Sequence, residues 1–504
     1  MTEKNHNLQQ LPKGWAWTQL GDIYLDRSRA IVPNKMPEEM FELYSVPSFD
    51  NGEPEIVSGK EIGSNKQVVE EGAVLLCKIN PRINRVWMVG NHSSYMKIAS
   101  TEWIPFFGQE EISPKYLIYF MRNSDFRAFL SLHVSGVGGS LMRIKVSTIA
   151  KYPIPLAPFN EQKRIVGRLE ELFARLDAGV EGLRKVKAQL KRYRQAVLKY
   201  AFEGKLTEEW RKTHKDQIEP ASKLLEQIRQ ERLMNLKKNK KLSPMGSFEL
   251  PALPESWMWM RADWLCDVQT GPFGTQLHRN DYTSSGIPAI EIGDVHPTRD
   301  LREGTAHFIA KEKAIELKRF EVKHGDVLFS RVGTVGRCTI VPEGCDGWIM
   351  STSLIRVRIV SKYLLPKHLL LYFWSPIAQG FAKRTSKGTT RAGTNSRIVG
   401  ELPLIIPPIM EQQIIVEEIE RRLTEVDNIE QTLNQNLTRA SRLRQSILKI
   451  AFEGKLVPQD PSDEPADKLL ERIKEERAKS KGEKDTNKGR KNMHRQLELS
   501  TYVK

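Results

Sequence analysis

Cysteine is scarce in this 504-residue sequence: only Cys77, Cys266, Cys338 and Cys345 occur, and no two make a Cys-x-x-Cys pair. Without that spacing, or an alternation with histidine, neither a zinc site nor a disulfide framework is expected. Each cysteine reads instead as a small buried apolar residue in a reducing compartment, the cytoplasm. No apolar run approaches the roughly 20 residues that a spanning helix needs. The opening segment MTEKNHNLQQ is polar, without an apolar core or cleavage site, so export is not expected. Catalytic signatures are missing together: no Walker-type phosphate loop, no His-Glu-x-x-His, no Gly-x-Ser-x-Gly, and no Asn/Asp-Pro-Pro-aromatic motif of the kind that surrounds a flipped base. Gly136-Val137-Gly138-Gly139-Ser140 has no lysine where a nucleotide loop needs one. The expectation is a chain without a catalytic residue, a metal or a cofactor of its own.

Positive charge is abundant. Lys and Arg outnumber Asp and Glu by 78 to 62, giving a formal charge of +16 and a pI near 9.5. That surplus favours a polyanionic partner, and with no spanning helix expected the partner is nucleic acid. The length implies two to four domains, and a hydrophobic fraction of 39% is enough to build their cores.

The chain is also written twice, at a shift of about 250 residues. Leu11-Pro12-Lys13-Gly14-Trp15-Ala16-Trp17 returns as Leu253-Pro254-Glu255-Ser256-Trp257-Met258-Trp259. Pro114-Lys115-Tyr116-Leu117 returns as Pro366-Lys367-His368-Leu369, and Pro158, Glu161 and Gln162 as Pro408, Glu411 and Gln412. Ala201-Phe202-Glu203-Gly204-Lys205-Leu206 is repeated unchanged from Ala451 to Leu456. Residues 159–206 and 409–456 align without a gap, whereas the regions before them align only in patches. Two copies of one scaffold thus carry two different surfaces.

After Pro158 and Pro408 the pattern turns helical. Ile165, Leu169, Leu172, Leu176, Leu183, Val186, Leu190, Tyr193 and Val197 follow steps of three, four and seven, and Ile415, Ile419, Val426, Ile429, Leu433, Leu443, Ile447 and Ile450 keep the same register. This is a heptad seam rather than a broad amphipathic face. Two helices of roughly 40 residues, closed by Gly204 and Gly454, are expected to pair as a coiled coil, with Arg422 and Asn436 as polar register positions. Packing of each helix on its own globular domain is the alternative. Ala73-Val74-Leu75-Leu76 and Asp326-Val327-Leu328-Phe329 read as buried strands of mixed α/β domains, and the paired tryptophans as core or interdomain anchors. The fold expected is therefore two α/β (α+β) domains separated by two long α-helices in an antiparallel coiled coil, with a pseudo-two-fold internal repeat. The expected boundaries are a first domain at 1–158, its helix at 159–206, a basic linker with a short helix at 207–250, a second domain at 251–408, its helix at 409–456, and a short helix with a basic tail at 457–504.

Basic, hydroxyl and amide residues gather with glycine at matching places in the two halves. Arginine reads guanine, Asn and Gln read adenine, and Ser, Thr and backbone amides hold phosphates. On that chemistry the DNA-contact candidates of the first half are Lys78, Asn80, Arg82, Asn84, Arg85, Ser140, Arg143 and Lys145. Those of the second half are Arg331, Thr334, Arg337, Lys387, Thr389, Thr390, Arg391, Thr394, Asn395 and Arg397.

Two variable domains alternating with two similar helices, the helix entry Pro-x-x-Glu-Gln and the exit Ala-Phe-Glu-Gly-Lys-Leu together resemble the specificity subunit of type I restriction–modification systems. Thr270-Gly271-Pro272-Phe273-Gly274-Thr275 and Gly325-Asp326-Val327-Leu328-Phe329-Ser330-Arg331 resemble that family's domain opening and central strand. The first domain departs from this pattern, with Lys78-Ile79-Asn80-Pro81-Arg82 at its centre. The resemblance implies target-recognition domains that each read half of a split, asymmetric double-stranded DNA site, with the helices as a ruler for the unread spacer. It further implies two methyltransferase subunits using S-adenosylmethionine on adenine, and two restriction/translocase subunits using ATP and Mg, with those cofactors held by the partners. A coiled-coil scaffold for protein partners and a self-contained DNA-modifying enzyme remain as rival readings.

Overall fold

The computed structural model describes residues 10–23, 29–107, 111–134, 142–235, 248–295, 301, 307–331, 337–385 and 394–475. The chain divides into two compact units, Met1–Leu183 with Gln435–Lys504, and Arg184–Asn434.

The first unit holds a five-stranded sheet, in the spatial order Arg29–Ile31, Lys66–Val68, Met96–Ser100, Met40–Tyr44, Glu55–Ser58, and a three-stranded sheet centred on Val74–Cys77. The second unit holds a four-stranded sheet in the order Cys266–Thr270, Leu354–Ile359, Val327–Ser330, Cys338–Ile340, and another built around Ile287–Ile290. The strands at the centre, Val74–Cys77 and Val327–Ser330, are buried along their whole length. That is why they read as unbroken apolar runs rather than as alternating strands. In each unit a two-stranded antiparallel ribbon closes the domain: Ala16–Gln19 on Pro153–Leu156, and Met258–Arg261 on Pro403–Ile406.

The repeated sequence motifs meet one another at the root of the long helices, Phe159–Phe202 and Ile409–Phe452. In the first unit the Trp15 indole donates to Glu161 Oε2 at 3.0 Å; in the second, Trp257 donates to Glu411 Oε2 at 2.7 Å. The neighbouring glutamines bind backbone. Gln162 accepts from Ser113 N and donates to Ala157 O, while Gln412 accepts from Leu365 N and donates to Tyr363 O and Pro407 O. Buried amides and carboxylates persist only when paired in this way, so the Glu-Gln pair locks each helix entry onto its domain. The helix ends arrive at the same roots. Phe452 packs on Tyr116 and Phe120, and Phe202 on His368 and Tyr372, with ring centroids 5.1 to 5.3 Å apart.

Gly204 and Gly454 terminate the helices in the left-handed conformation, with φ of +76° and +69°. The residue after each donates back to the last turn, Lys205 N to Tyr200 O and Lys455 N to Ile450 O. A Cβ would also collide with proline, 2.4 Å from Pro254 Cγ at Gly204 and 2.3 Å from Pro12 Cγ at Gly454. The proline of the Leu-Pro-x-x-Trp motif thus seats on the glycine of the other copy's helix exit.

Each unit contains the first half of its own long helix and the last half of the other. Within the second unit Lys187 bonds Asn434 and Arg194 bonds Asp427 and Glu430; within the first, Arg444 pairs with Asp177 and lies over the Phe173 ring. Residue numbers rise on one helix as they fall on the other. The expected seam is only partly buried. Val426 and Leu433 are buried, but Val186, Tyr193, Ile429, Leu443 and Ile450 face solvent, and Asn436 is exposed. Arg422 pairs with Glu418 on its own helix. The segments expected as linker and tail are partly built into the cores. Leu224 and Ile228 of Ala221–Asn235 belong to the second unit's core, and Ala466, Leu469, Leu470 and Ile473 to the first's.

Candidate nucleic-acid interface

At the end of each central strand the chain is gripped from both sides by the same pair of backbone bonds. In the first unit Lys78 N donates to Glu102 O and Lys78 O accepts from Ile144 N, both at 3.0 Å. In the second, Arg331 N donates to Ser353 O at 2.8 Å and Arg331 O accepts from Thr394 N at 2.9 Å. The two candidate clusters of each half, far apart in sequence, are therefore adjacent in space. Asn80 N to Met142 O at 2.8 Å and a bridge between Ile79 and Arg143 extend the first unit's pairing. Lys145 and Asn395 are counterparts at the start of the short helices Val146–Ala150 and Ser396–Glu401.

In the first unit the turn Pro81–Ile83 is bracketed by Asn80 and Asn84, both in the left-handed region at φ of 47° and 53°. Asparagine tolerates that region better than other residues with a Cβ, and such positions collect at functional sites. The turn holds Arg82 and Ile83 out into solvent. Asn84 is spent on structure, donating to Met121 O at 2.8 Å. Arg85 turns inward: its side chain is 14% exposed and its Nε lies 3.6 Å from Asp50 Oδ1. The sequence pattern placed Arg85 with the DNA contacts, and the fold makes it a strut behind the turn. Arg143 donates from Nε and Nη2 to the two oxygens of Glu102, at 3.1 and 3.0 Å, which fixes the plane of its guanidinium. Lys78 is half-buried and Lys145 exposed.

In the second unit Arg331 Nη1 donates to Thr352 O at 3.2 Å, and Ser330 N to Arg337 O at 2.8 Å closes the connection between neighbouring strands. Arg337 reaches Val295 O at 3.5 Å. Thr394 is buried, and Asn395 Oδ1 caps the following helix by accepting from Ile398 N at 3.0 Å. Both build the site's frame, Thr394 through its backbone N–H to Arg331 O and Asn395 through its cap. Arg397 is exposed beside them and pairs with Glu401. Ser140, Thr334, Lys387, Thr389, Thr390 and Arg391 lie outside the described residues. Sequence reasoning passed over the loop Gly271–Gln276 as a contact. Gly271 N donates to Leu354 O at 2.9 Å, so this loop borders the Ser351–Leu354 turn that Arg331 also grips. Its only sequence signal was the Gly-Pro-Phe-Gly string, which carries no hydrogen-bonding side chain.

All four cysteines are buried thiols outside any disulfide, and burial raises the thiol pKa of Cys77, Cys266 and Cys338. Among the described residues no group of three or more His, Cys, Asp or Glu side chains is placed to hold a metal ion, and no helix is long and apolar enough to cross a membrane.

The model of the type I restriction modification DNA specificity domain matches this sequence twice, over residues 12–186 and 254–439. The chain belongs to that family. The two matches cover both units' domains and the entry halves of both long helices. Among relatives, the chain is 31% identical to the type I restriction enzyme EcoBI specificity subunit of Escherichia coli over 344 residues, 66% of each chain. To the EcoKI specificity subunit, also of Escherichia coli, it is 26% identical over 511 residues, 95% of this chain and 99% of that one. A solved chain from work on assembly of the type I R-M system superposes with a TM-score of 0.65 at 20% identity, over 89% of this chain and all of that one, and so shares the fold. Within the family the part played by such a chain is recognition rather than catalysis.

Proposed function

We propose that this chain is the DNA-reading subunit of a type I restriction–modification complex, each unit recognising one half of a split, asymmetric duplex site. The observation that carries this reading is the pair of grips around Lys78 and Arg331. The same backbone frame presents Lys78 and Arg143 in one unit, with Arg82 beside them for the phosphates, and Arg331 and Arg397 in the other. A frame held constant while its side chains change suits two domains that read different sequences, because base edges are told apart by the side chains offered to them. The same role is proposed for Lys145 and Arg337, and for Ser140, Thr334, Lys387, Thr389, Thr390 and Arg391, which lie outside the described residues. The domain boundaries follow the repeat: recognition domains at 1–158 and 251–408, spacer helices at 159–206 and 409–456.

The two long helices pair as an antiparallel coiled coil and act as the ruler between the half-sites. The opposed order of the Lys187–Asn434, Arg194–Asp427 and Asp177–Arg444 pairs supports this. Two methyltransferase subunits and two ATP-driven restriction subunits assemble on the chain in the cytoplasm, bringing S-adenosylmethionine, ATP and Mg with them. The test is single-molecule methylation mapping of the host genome with and without the gene. Adenine methylation lost at one bipartite, asymmetric motif is the expected result. An unchanged methylome with the methyltransferase expressed sinks the reading.

A further inference from the structure

Phe273 sits in the wrong environment for a phenylalanine. Its two predecessors, Gly271 and Pro272, are buried, yet Phe273 itself is 58% exposed. The turn that carries it is rigid on both sides. Behind it, a Cβ on Gly271 would lie 2.0 Å from Ser351 O, so this residue has to be glycine for the backbone to pack there. Ahead of it, Gln276 closes the turn by donating its N–H to Phe273 O at 2.8 Å and accepting from Phe273 N through Oε1 at 3.1 Å. The ring is thus held out into water by a braced loop. The brace is shared with the candidate interface: the Ser351–Leu354 turn bonds Gly271 on one side and takes two donors from Arg331 on the other.

We infer that Phe273 is a specificity-determining contact of the second unit, covering the apolar surface of a DNA base beside the Arg331 contact. This rests on the DNA-reading function proposed above. Two sources offer that surface: the C5-methyl group of thymine in the major groove, or the face of a base exposed where a duplex step is partly unstacked by an apolar wedge. A protein partner fits less well. The exposed residues that follow Phe273 in the chain are Gly274, Thr275, His278, Arg279 and Asn280. Apart from the glycine these carry hydrogen-bonding or cationic side chains suited to phosphate and base edges, not the apolar composition of a protein-docking pocket. A lone ring among donors discriminates by shape and by the presence of a methyl group, which arginine does not sense.

The experiment uses the full chain assembled with its methyltransferase subunits, on duplexes carrying the motif that methylation mapping assigns. Phe273→Ala is expected to weaken binding roughly tenfold, the size of one good base contact, and Phe273→Trp to retain much of the affinity. In one series each thymine of the motif is replaced by deoxyuridine; in the other, 2-aminopurine replaces each adenine. A deoxyuridine position that weakens wild type but leaves Phe273→Ala unaffected identifies the methyl source. A 2-aminopurine position that brightens with wild type and not with Phe273→Ala identifies the unstacked face. Both effects are to fall within one half of the motif. Wild-type affinity in Phe273→Ala overturns the inference. So does a loss that neither series modulates, or one that accompanies a lower melting temperature in both variants. Failure of the wild-type complex to prefer any motif removes the DNA-reading function itself, a separate outcome.

Discussion

Arg211 Nη1 lies 2.5 Å from Glu411 Oε1, with the guanidinium over the Trp257 ring. Thr207, the other donor to Glu411 Oε1, is replaced in the first unit by Val457. Two copies of one motif therefore differ in how they satisfy a buried carboxylate. Glu161 keeps the Trp15 bond, has no hydrogen-bond partner for Oε1 among the described residues, and has its pKa raised by burial.

The asymmetry predicts unequal mutational costs. Arg211→Ala strips a buried carboxylate of its cation and is expected to destabilise the second unit by about 2–4 kcal/mol. Glu161→Gln keeps the oxygen that Trp15 uses and should cost under about 1 kcal/mol. Urea unfolding followed by unit-resolved hydrogen exchange checks both; equal costs would contradict the difference in partners.

His368 predicts an acid-sensitive second unit. It occupies the position of Tyr116, is buried, bonds Ile405 O through Nε2 at 3.1 Å, and has its pKa lowered by burial to about 4. The unfolded chain then binds the extra proton between about pH 6.5 and 4, so stability is full above this window and falls as pH drops through it, by up to about 3 kcal/mol. His368→Phe should flatten that part of the second unit's stability profile. A profile unchanged by the substitution would exclude His368 as the cause.

Arg82 and Arg85 are close in sequence and opposite in role. Arg82→Ala is expected to weaken DNA binding on all sequences alike and to reduce the log–log salt slope by about 1, the signature of one lost phosphate contact. Arg85→Ala, which removes the partner of Asp50, should lower the thermal midpoint and leave the slope unchanged. Salt titrations of the two variants side by side separate the roles.

The helices predict a change of spacing without a change of letters. Inserting one heptad, about two turns, at matching points of both long helices should lengthen the unread spacer of the methylated motif and preserve both half-sites. Methylation mapping reads the outcome directly, and an unaltered spacer would remove the ruler role.

Much of this architecture was legible because the chain repeats itself. A shift of about 250 residues exposes the Trp, Glu-Gln and Phe-Glu-Gly-Lys-Leu motifs, and the structure shows why they travel together: Trp15 bonds Glu161 while Gly454 seats Pro12. The adjacency of Lys78 to Ile144, and of Arg331 to Thr394, was foreshadowed only by clusters recurring at similar places in the two halves. The direction of a side chain was not legible. Arg85 carries the right chemistry and faces inward, and Val186, Tyr193 and Leu443 keep heptad spacing yet face water. Periodicity reports which face a residue occupies and says nothing of how closely a neighbour approaches. Phe273 was legible only as part of the Gly-Pro-Phe-Gly string, since nothing in a sequence shows that an apolar loop side chain faces water.

The two units also differ in when they can be finished. Arg184–Asn434 is one uninterrupted stretch, complete as soon as it has left the ribosome. The other unit is assembled from both sides of it. Leu448, Ala451, Phe452, Ala466, Leu469, Leu470 and Ile473 fill a core whose other buried residues are made before Leu183. During synthesis the first recognition domain therefore waits, with Tyr116 and Phe120 uncovered, until the chain beyond Gln435 has emerged. A nascent chain interrupted before that point carries one finished reader and one open core, a ready substrate for chaperone or protease.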